Sequence, residues 1–318
     1  METFDREIKS RLRERFGNTI RFDEPMSRHT YFRVGGPADA FAAPENLDDL
    51  AEMIRWCREE AIPFLVIGGG SNLLVTDGGI AGMVIVMTGN LKLIETAVET
   101  EESVVVMAMA GAKLQALCRF AVENGFEGLN FALGIPGTVG GAVIMNAGTA
   151  TGSMADIIES VNIMRPDTGK MQRIDKERLD FTYRTLSWKR AVPDADRQPP
   201  IVLDAQCHLK RSDPLKLADE ARAILERRRN RQPTNAASAG CFFKNPTGGR
   251  TAGELIDKAG LKGISVGGAT VSSKHANFII NTGSASATDI LALMQIVQDR
   301  VADTFHLELE PEVKIVGR

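Results

Sequence analysis

Two glycine-rich segments constrain the fold of this chain more than any other feature. The first, "IGGGSNLL" at Ile67–Leu74, follows directly on the apolar run Phe64–Ile67, which predicts a buried strand. The second is "GIPGTVGGAVIMNAG" at Gly134–Gly148. Successive glycines let backbone N–H groups turn toward one point and let a phosphate approach closely. The first segment alone is equally consistent with a tight turn, but the pair predicts one large cofactor held from two sides.

Neither segment matches a common nucleotide fingerprint. The chain has no G-x-x-x-x-G-K-[ST] sequence, and "GIPGTVGG" is not a G-x-G-x-x-G sequence that follows the first strand and begins a helix. These two absences argue against a P-loop kinase and an ordinary Rossmann site.

Charge, hydropathy and cysteine spacing argue against several other classes. A formal net charge of -3 over 318 residues speaks against binding nucleic acid or anionic lipid. The longest apolar run, Met83–Met87, is far shorter than the roughly 18 residues of a membrane span, and "METFDREIKS" lacks the apolar core of a signal peptide. We therefore expect a cytoplasmic protein without membrane insertion. No disulfide framework or metal site is expected, because the cysteines form no C-x-x-C pair: Cys57, Cys118, Cys207 and Cys241.

Apolar periodicity and turn signals predict a mixed order of helices and strands. Phe4, Ile8, Leu12 and Phe16 recur every four residues and predict an opening helix, and Asn46 is a good N-cap for the next. Further helices are predicted from Leu114 to Asn124-Gly125 and at Leu215–Arg231, Thr251–Ala259 and Ala287–Phe305. Strands are predicted at Met83–Met87, Leu91–Thr96, Ser103–Met109, Val161–Met164, Met171–Ile174, Ile201–Leu209, Phe278–Ile280 and Leu307–Val316. The order lacks a regular βαβα repeat, which favours an α+β fold.

Five motifs occur in a specific order along the chain. They are "GGGSNLL", "GIPGTVGGAVIMNAG", "YRTLS" at Tyr183–Ser187, "AGCFFKNP" at 239–246 and "LEPEV" at Leu309–Val313. Together with "TYFRVGGPA" at Thr30–Ala38 they extend over almost the whole chain, and they resemble the UDP-N-acetylenolpyruvoylglucosamine reductase family. Members of that family are FAD enzymes that complete UDP-N-acetylmuramate for peptidoglycan. Only two tyrosines are present, Tyr31 and Tyr183, so the chain resembles the branch that lacks a tyrosine-bearing lid loop.

The resemblance implies an architecture and a set of small-molecule partners. It implies an FAD-binding domain of the vanillyl-alcohol-oxidase (PCMH) type in two subdomains, 1–85 with the C-terminal strand 311–318, and 86–212. An α+β substrate-binding domain would occupy 213–310. Non-covalent FAD, NADPH and a UDP-sugar are the expected ligands, and we expect a monomer. The residues expected to line FAD are Arg33, Gly35, Gly36, Gly68, Gly69, Gly70, Ser71, Asn72, Leu73, Gly134, Ile135, Pro136, Gly137, Thr138, Gly140, Gly141, Ala142, Asn146, Ala147 and Gly148.

The family reaction assigns roles to two charged residues. NADPH reduces FAD, the reduced flavin reduces the enolpyruvyl vinyl group, and negative charge then spreads toward the substrate carboxylate. Arg184 is expected to fork onto that carboxylate, although a surface arginine is the alternative. Glu312, otherwise a solvated acid on an edge strand, would have a raised pKa beside the substrate carboxylate and would donate a hydrogen bond.

Cys241 occupies the position at which the family normally has its proton-donating serine. A thiol is a better acid than an alcohol, and we expect Cys241 to deliver the proton that ends the reaction. We also expect Arg184 or Lys244 to lower its pKa, which would create a thiolate that cannot donate. The alternatives are a packing cysteine and an inactive family member.

Four further residues are expected to contact substrate: Tyr183, Lys244, Asn245 and His275. Tyr183 could equally pack, and His275 could equally be structural. The arginine-rich "ERRRNRQP" is interpreted as a solvated helix end, with a diphosphate-facing role as the alternative. Two other functions stay open at this point, an FAD oxidase or dehydrogenase acting on an alcohol and a non-catalytic nucleotide-sugar-binding module.

Overall fold

The computed structural model describes residues 4–87, 91–188, 190–192, 195 and 198–318. Within these residues the α-helices, labelled α1 to α8 in chain order, are Arg6–Phe16, Leu47–Glu59, Leu114–Glu123, Val139–Ile144, Met154–Ile157, Pro214–Arg231, Ala252–Lys258 and Ala287–Phe305. The strands, β1 to β19, are Ile20–Pro25, Pro37–Ala42, Phe64–Ile67, Leu73–Val75, Ile80–Val86, Ile94–Glu99, Ser103–Met109, Phe126–Glu127, Gly148–Thr149, Gly152–Ser153, Ile158–Met164, Met171–Asp175, Asp180–Thr182, Thr185–Ser187, Ile201–Arg211, Ser265–Val266, Ala269–Val271, Ile279–Asn281 and Lys314–Val316.

Three sheets organise the chain, and their mixture with helices confirms the α+β class. The first has the order β1-β2-β5-β3, with β5 parallel to both of its neighbours. The second is antiparallel, with the order β12-β11-β15-β7-β6 and β8 paired to β15. The third is the small antiparallel sheet β16-β17-β18.

The first two helices form where the sequence predicts them. Asp5 caps α1 by accepting a hydrogen bond from the Ile8 N–H at 2.9 Å, and Asn46 caps α2 by accepting from the Asp49 N–H at 2.9 Å. Their apolar faces join a hydrophobic core shared with the first and second sheets, in which Leu12 and Leu50 are fully buried. Burial of such faces supplies most of the stability of short helices.

A separate hydrophobic cluster holds the C-terminal part of the chain against the first glycine segment. Phe242 and Phe243 pack there with α7, α8 and the third sheet, and Phe32 and Leu74 from the N-terminal part join the same cluster. Asp77 adds a polar connection, because its carboxylate accepts hydrogen bonds from the first N–H groups of α8. The C-terminal part is therefore fixed beside β4 and the loop that follows it.

The predicted strand Leu307–Val316 is wrong over most of its length. Only Lys314–Val316 forms a strand, β19, which pairs in parallel with β4. His306 has a left-handed backbone (φ 54°) that ends α8, and Pro311 has no N–H to offer a ladder. The intervening residues make only an isolated bridge, between Pro311 and Phe243. The strand predicted at Leu91–Thr96 is shifted and begins at Ile94.

Candidate functional site

The two glycine segments lie against each other and form one cradle. A Cβ at Gly68 would lie 2.2 Å from Oγ1 of Thr138, and a Cβ at Gly137 would lie 2.6 Å from Oγ of Ser71. The Ser71 hydroxyl donates a hydrogen bond to the Pro136 carbonyl at 3.2 Å. Side chains at these two glycines would collide with the opposite segment, so glycine lets the two backbones approach closely. Gly69 and Gly141 meet no neighbour closer than ordinary contact distance, and the backbone there fits a cofactor held from two sides.

Several of the other glycines predicted to line FAD have a packing reason for being glycine. In each case an added Cβ would collide with a neighbour in the protein. The collisions are Gly35 with Val75, Gly36 with the Asp77 carbonyl, Gly70 with the His29 carbonyl, Gly134 with Arg228, Gly140 with Ala110 and Gly148 with the Gly152 carbonyl. Only Gly69 and Gly141 meet nothing closer than ordinary contact distance. The pattern "Gly-rich" therefore mixes cradle positions with positions of tight backbone packing.

The remaining predicted cofactor residues divide into exposed and structural positions. Arg33 is exposed and has a left-handed backbone at φ 56°. Asn146 is buried, and its Nδ2 donates to the Thr182 carbonyl at 2.9 Å, which holds the hairpin that carries Arg184. Leu73 and Ile135 are half-buried. Ala142 and Ala147 are buried.

Arg184 and Glu312 form an ion pair close to this cradle. Arg184 lies in the turn between β13 and β14 with φ 58°, a strained backbone that is common at functional positions. Its Nη1 donates to the Gly148 carbonyl at 2.9 Å, and its Nε lies 3.0 Å from Oε1 of Glu312. The Nε–H is buried and is not aimed at an acceptor, so the contact with Glu312 is an ion pair without a directed hydrogen bond from Nε.

Backbone pairing brings the "AGCFFKNP" and "LEPEV" motifs together. The Glu312 N–H donates to the Phe242 carbonyl at 2.8 Å, and the Lys244 N–H donates to the Glu310 carbonyl at 2.8 Å. Nδ2 of Asn72, a residue predicted to line FAD, donates to the Glu312 carbonyl at 3.1 Å. The acid of one motif is thus fixed next to the thiol-bearing segment of the other and to the first glycine segment.

Asn277 is a structural residue of the site that the sequence interpretation missed. It is 3% exposed, its Oδ1 accepts from the Phe243 N–H at 2.9 Å, and its Nδ2 donates to the Phe243 carbonyl at 2.8 Å. Its own carbonyl accepts from the Phe242 N–H at 2.8 Å. The available signal was an asparagine in the apolar run "HANFII", where a polar side chain is rarely buried without partners.

We expect Asn277→Ala to destabilise the fold around Cys241. The change leaves the N–H and carbonyl of Phe243 buried without partners, at a cost of about 1–3 kcal/mol for each group. The melting temperature of the purified protein should fall by several degrees. An exposed asparagine, Asn124, offers the control Asn124→Ala. An unchanged melting temperature for Asn277→Ala would show that water replaces these bonds without loss.

The pKa of Cys241 moves in the direction opposite to the sequence expectation. Burial is the main cause that raises the pKa of the Cys241 thiol to about 11, and the negative charge of Glu312 adds to the rise. The charges of Arg184 and Arg228 oppose this rise and are outweighed. The thiol therefore stays protonated at neutral pH, and the expectation that cations make it a thiolate is corrected.

The pKa of Glu312 is also raised, as the sequence predicted, but from a different cause. Burial is the largest contribution, and Arg184 and Lys244 pull the pKa of the carboxyl back down. No substrate carboxylate is required for the shift. A carboxyl with a raised pKa holds a proton more readily than an ordinary glutamate and can then donate it in a hydrogen bond.

The four predicted substrate residues differ in how far contacts within the protein already occupy their polar groups. Tyr183 is 53% exposed, and its hydroxyl accepts from the Asn245 N–H at 3.3 Å. Lys244 forms an ion pair with Glu310. His275 is half-buried, accepts at Nδ1 from the Asn277 N–H at 3.3 Å and contacts the Phe278 ring, and burial lowers its pKa.

Side-chain clusters and helix lengths in the described residues bear on two other classes of site. No group of three or more His, Cys, Asp or Glu side chains in these residues could hold a metal ion. Among the same residues, no helix has the length and apolar character needed to cross a bilayer.

Comparisons with known proteins agree with this geometry. The family profile described as "FAD binding domain" matches residues 38–175, which contain both glycine segments. The profile described as "UDP-N-acetylenolpyruvoylglucosamine reductase, C-terminal domain" matches residues 232–316, which contain Cys241 and Glu312. The expected α+β fold with a vanillyl-alcohol-oxidase-type FAD-binding domain is confirmed.

Similar proteins cover nearly the whole chain. UDP-N-acetylenolpyruvoylglucosamine reductase of Desulfosudis oleivorans is 49% identical over 303 residues, 95% of this chain and 96% of the relative. The enzyme of the same name from Heliobacterium modesticaldum is 43% identical over 92% of this chain and 90% of its own. The crystal structure of the Thermus caldophilus reductase superposes with a TM-score of 0.77 at 35% identity, covering 92% of this chain and 97% of that one. This chain belongs to the UDP-N-acetylenolpyruvoylglucosamine reductase family.

Proposed function

We propose that this chain reduces the enolpyruvyl group of UDP-N-acetylglucosamine enolpyruvate to give UDP-N-acetylmuramate, an early precursor of peptidoglycan. As a member of its family it is an FAD-dependent oxidoreductase that uses NADPH as the hydride donor. The observation that carries the proposal is the convergence of three groups, the guanidinium of Arg184, the carboxyl of Glu312 and the thiol of Cys241, beside the glycine cradle.

The cradle supplies the surfaces that would hold FAD. Backbone of Gly68–Gly70 and Gly137, with the side chains of Ser71 and Thr138, lines the place where the two glycine segments meet. Bound FAD would supply hydride transfer, from NADPH to the terminal vinyl carbon of the substrate. The protein has to stabilise the negative charge that this transfer creates and then deliver one proton.

Arg184 and Glu312 are suited to the charge on the substrate carboxylate. The Gly148 carbonyl and the Glu312 carboxyl hold the Arg184 guanidinium in place, at Nη1 and Nε respectively. A guanidinium stays charged and can fork onto a carboxylate. Glu312, with its raised pKa, would donate its proton in a hydrogen bond to the oxygen on which charge builds.

Cys241 is suited to the last proton transfer. Its thiol is protonated at neutral pH because its pKa is raised to about 11. A donor with a pKa above the working pH keeps its proton until a strong base, here the carbon that has gained the electron pair, removes it. The cysteine can therefore replace the serine that the family normally has at this position.

Further residues and the subdomain boundaries follow from the same proposed function. Tyr183, Lys244, Asn245 and His275 would contact the substrate, and the subdomains would divide at 1–85, 86–212 and 213–310, with 311–318 returning to the first. The C-terminal return is supported by the pairing of β19 with β4. We also propose that the chain is a monomer and that it is cytoplasmic; the location follows from the substrates of the reaction, which are cytoplasmic small molecules.

The proposed function predicts a yellow protein with non-covalent FAD. Acid precipitation should release the colour into the supernatant. The cradle is built from backbone and hydroxyl groups, and we propose that none of them bonds covalently to the flavin. NADPH consumption should then depend on the enolpyruvyl substrate. Colour retained in the pellet, or peroxide release in air with an alcohol substrate, would instead favour an oxidase of the same fold.

A further inference from the structure

One cation beside the site has no role in the proposed reaction. Arg228 lies in the last turn of α6, within the segment "ERRRNRQP" that the sequence analysis interpreted as a solvated helix end. Arg228 differs from the adjacent arginines in its exposure to solvent. It is half-buried, whereas Arg227 and Arg229 are exposed. Across the described ranges, no residue forms a hydrogen bond or an ion pair with the Arg228 guanidinium.

The position of Arg228 is defined by the second glycine segment. A Cβ at Gly134 would lie 2.9 Å from Cδ and 2.9 Å from Nε of Arg228, and Gly134 has a left-handed backbone at φ 79°. Any other residue at Gly134 would be strained and would displace the Arg228 side chain. The glycine therefore lets the guanidinium lie directly against the cradle.

Charges in this region are unbalanced. Arg184 and Arg228 act on each other electrostatically, and both act on the Cys241 thiol. Glu312 pairs with Arg184. Arginine does not release its proton, and two nearby cations repel in a partly buried site, so the arrangement is suited to an anionic ligand that contacts both.

We propose that Arg228 is a second guanidinium for the substrate carboxylate and so selects carboxylate-bearing UDP-sugars. The inference rests on the proposed function, because that reaction places the substrate carboxylate at Arg184. Two arginines sharing one carboxylate hold it in a fixed orientation, since each can donate two parallel hydrogen bonds. A UDP-sugar without the carboxylate gains nothing from either residue.

The test compares two ligands that differ in this carboxylate. Arg228→Ala and Arg228→Lys, with the exposed Arg227→Ala as the matched control, are prepared as FAD-loaded protein. Each is titrated calorimetrically with UDP-N-acetylmuramate and with UDP-N-acetylglucosamine. Arg228→Ala should weaken binding of UDP-N-acetylmuramate about 10- to 100-fold and leave UDP-N-acetylglucosamine unchanged. Arg228→Lys should recover part of the loss, because an ammonium keeps the charge without the fork.

Each alternative outcome is informative. Equal weakening for both ligands would overturn the inference and place Arg228 at the nucleotide. Unchanged binding of both ligands would also overturn the inference, and a shifted flavin reduction potential would then assign Arg228 to the cofactor. If Arg228→Ala melts at a lower temperature than the control, its weaker binding could reflect a damaged fold. The comparison of the two ligands is then made with Arg228→Lys, which keeps a long cationic side chain. Wild-type protein that binds neither ligand would overturn the proposed function itself.

Discussion

Replacing Cys241 with alanine is expected to slow reoxidation of the reduced flavin by the enolpyruvyl substrate by about 100-fold or more, the scale for a positioned proton donor. Reduction by NADPH should be unaffected, because no proton from Cys241 enters that step. Rapid mixing of pre-reduced enzyme with substrate measures the step directly. Reoxidation of Cys241→Ala at the wild-type rate would show that the thiol only packs and that the proton comes from elsewhere.

The pH dependence distinguishes a thiol donor from other groups. The donor must be protonated, and the pKa of Cys241 is raised to about 11, so ionisation of the thiol should lower the wild-type rate only in the region of that pKa. Cys241→Ser should retain activity and remove the fall, since a serine does not ionise there. A decline centred near pH 8 in the wild type would indicate an unshifted thiol and contradict the raised pKa.

Arg184→Ala and Glu312→Ala are expected to reduce the same step by about 100- to 1,000-fold, comparable to the loss of one donor that stabilises a developing negative charge. Arg184→Ala removes the paired hydrogen bonds that the guanidinium would donate to the substrate carboxylate. Glu312→Ala removes the carboxyl proton that would be hydrogen-bonded to the developing charge. The rate of flavin reduction by NADPH should stay close to that of the wild type in both variants.

Conservative variants separate chemistry from damage to the fold. Glu312→Gln keeps a hydrogen-bond donor and removes the ion pair with Arg184, so it should lose less than Glu312→Ala. Arg184→Lys keeps the charge without the fork and should recover only part of the rate. Equal collapse of both half-reactions in the alanine variants would mean that the site is distorted and that the assignment of Arg184 and Glu312 to the second half-reaction is unsupported.

The sequence predicted the elements of this fold better than the contacts between them. The helix Ala287–Phe305 and the strand Ser103–Met109 match the structure to the residue, because their apolar periodicity and caps are local signals. The predicted strand Leu307–Val316 failed because apolar alternation is a local signal, whereas a strand needs a continuous ladder of backbone partners, and within this segment only Lys314–Val316 has one. Partners for such a segment depend on residues far away in the chain, here Phe243 and Asn72.

The same limit applies to the site. The motifs identified Arg184, Cys241 and Glu312, but the sequence placed two cations near the thiol and did not reveal that Glu312 lies within its electrostatic range. The sign of the Cys241 shift depends on that neighbour and on burial, neither of which is written in local spacing. Asn277 was missed for a related reason, since its partners at Phe242 and Phe243 lie 34 residues away or more.

The contacts that join the first glycine segment to the C-terminal segment of the chain have a consequence for folding during synthesis. Nδ2 of Asn72 donates a hydrogen bond to the Glu312 carbonyl across 240 residues, and among the described residues β4 pairs in parallel only with β19. A nascent chain therefore carries β4 as an open strand edge while most of the protein is still being synthesised, and such edges invite association with other chains. Contacts of this separation form late in folding. The glycine cradle and the position of Glu312 are consequently completed together, so that a ribosome-bound intermediate has neither the finished cradle nor the ion pair between Arg184 and Glu312.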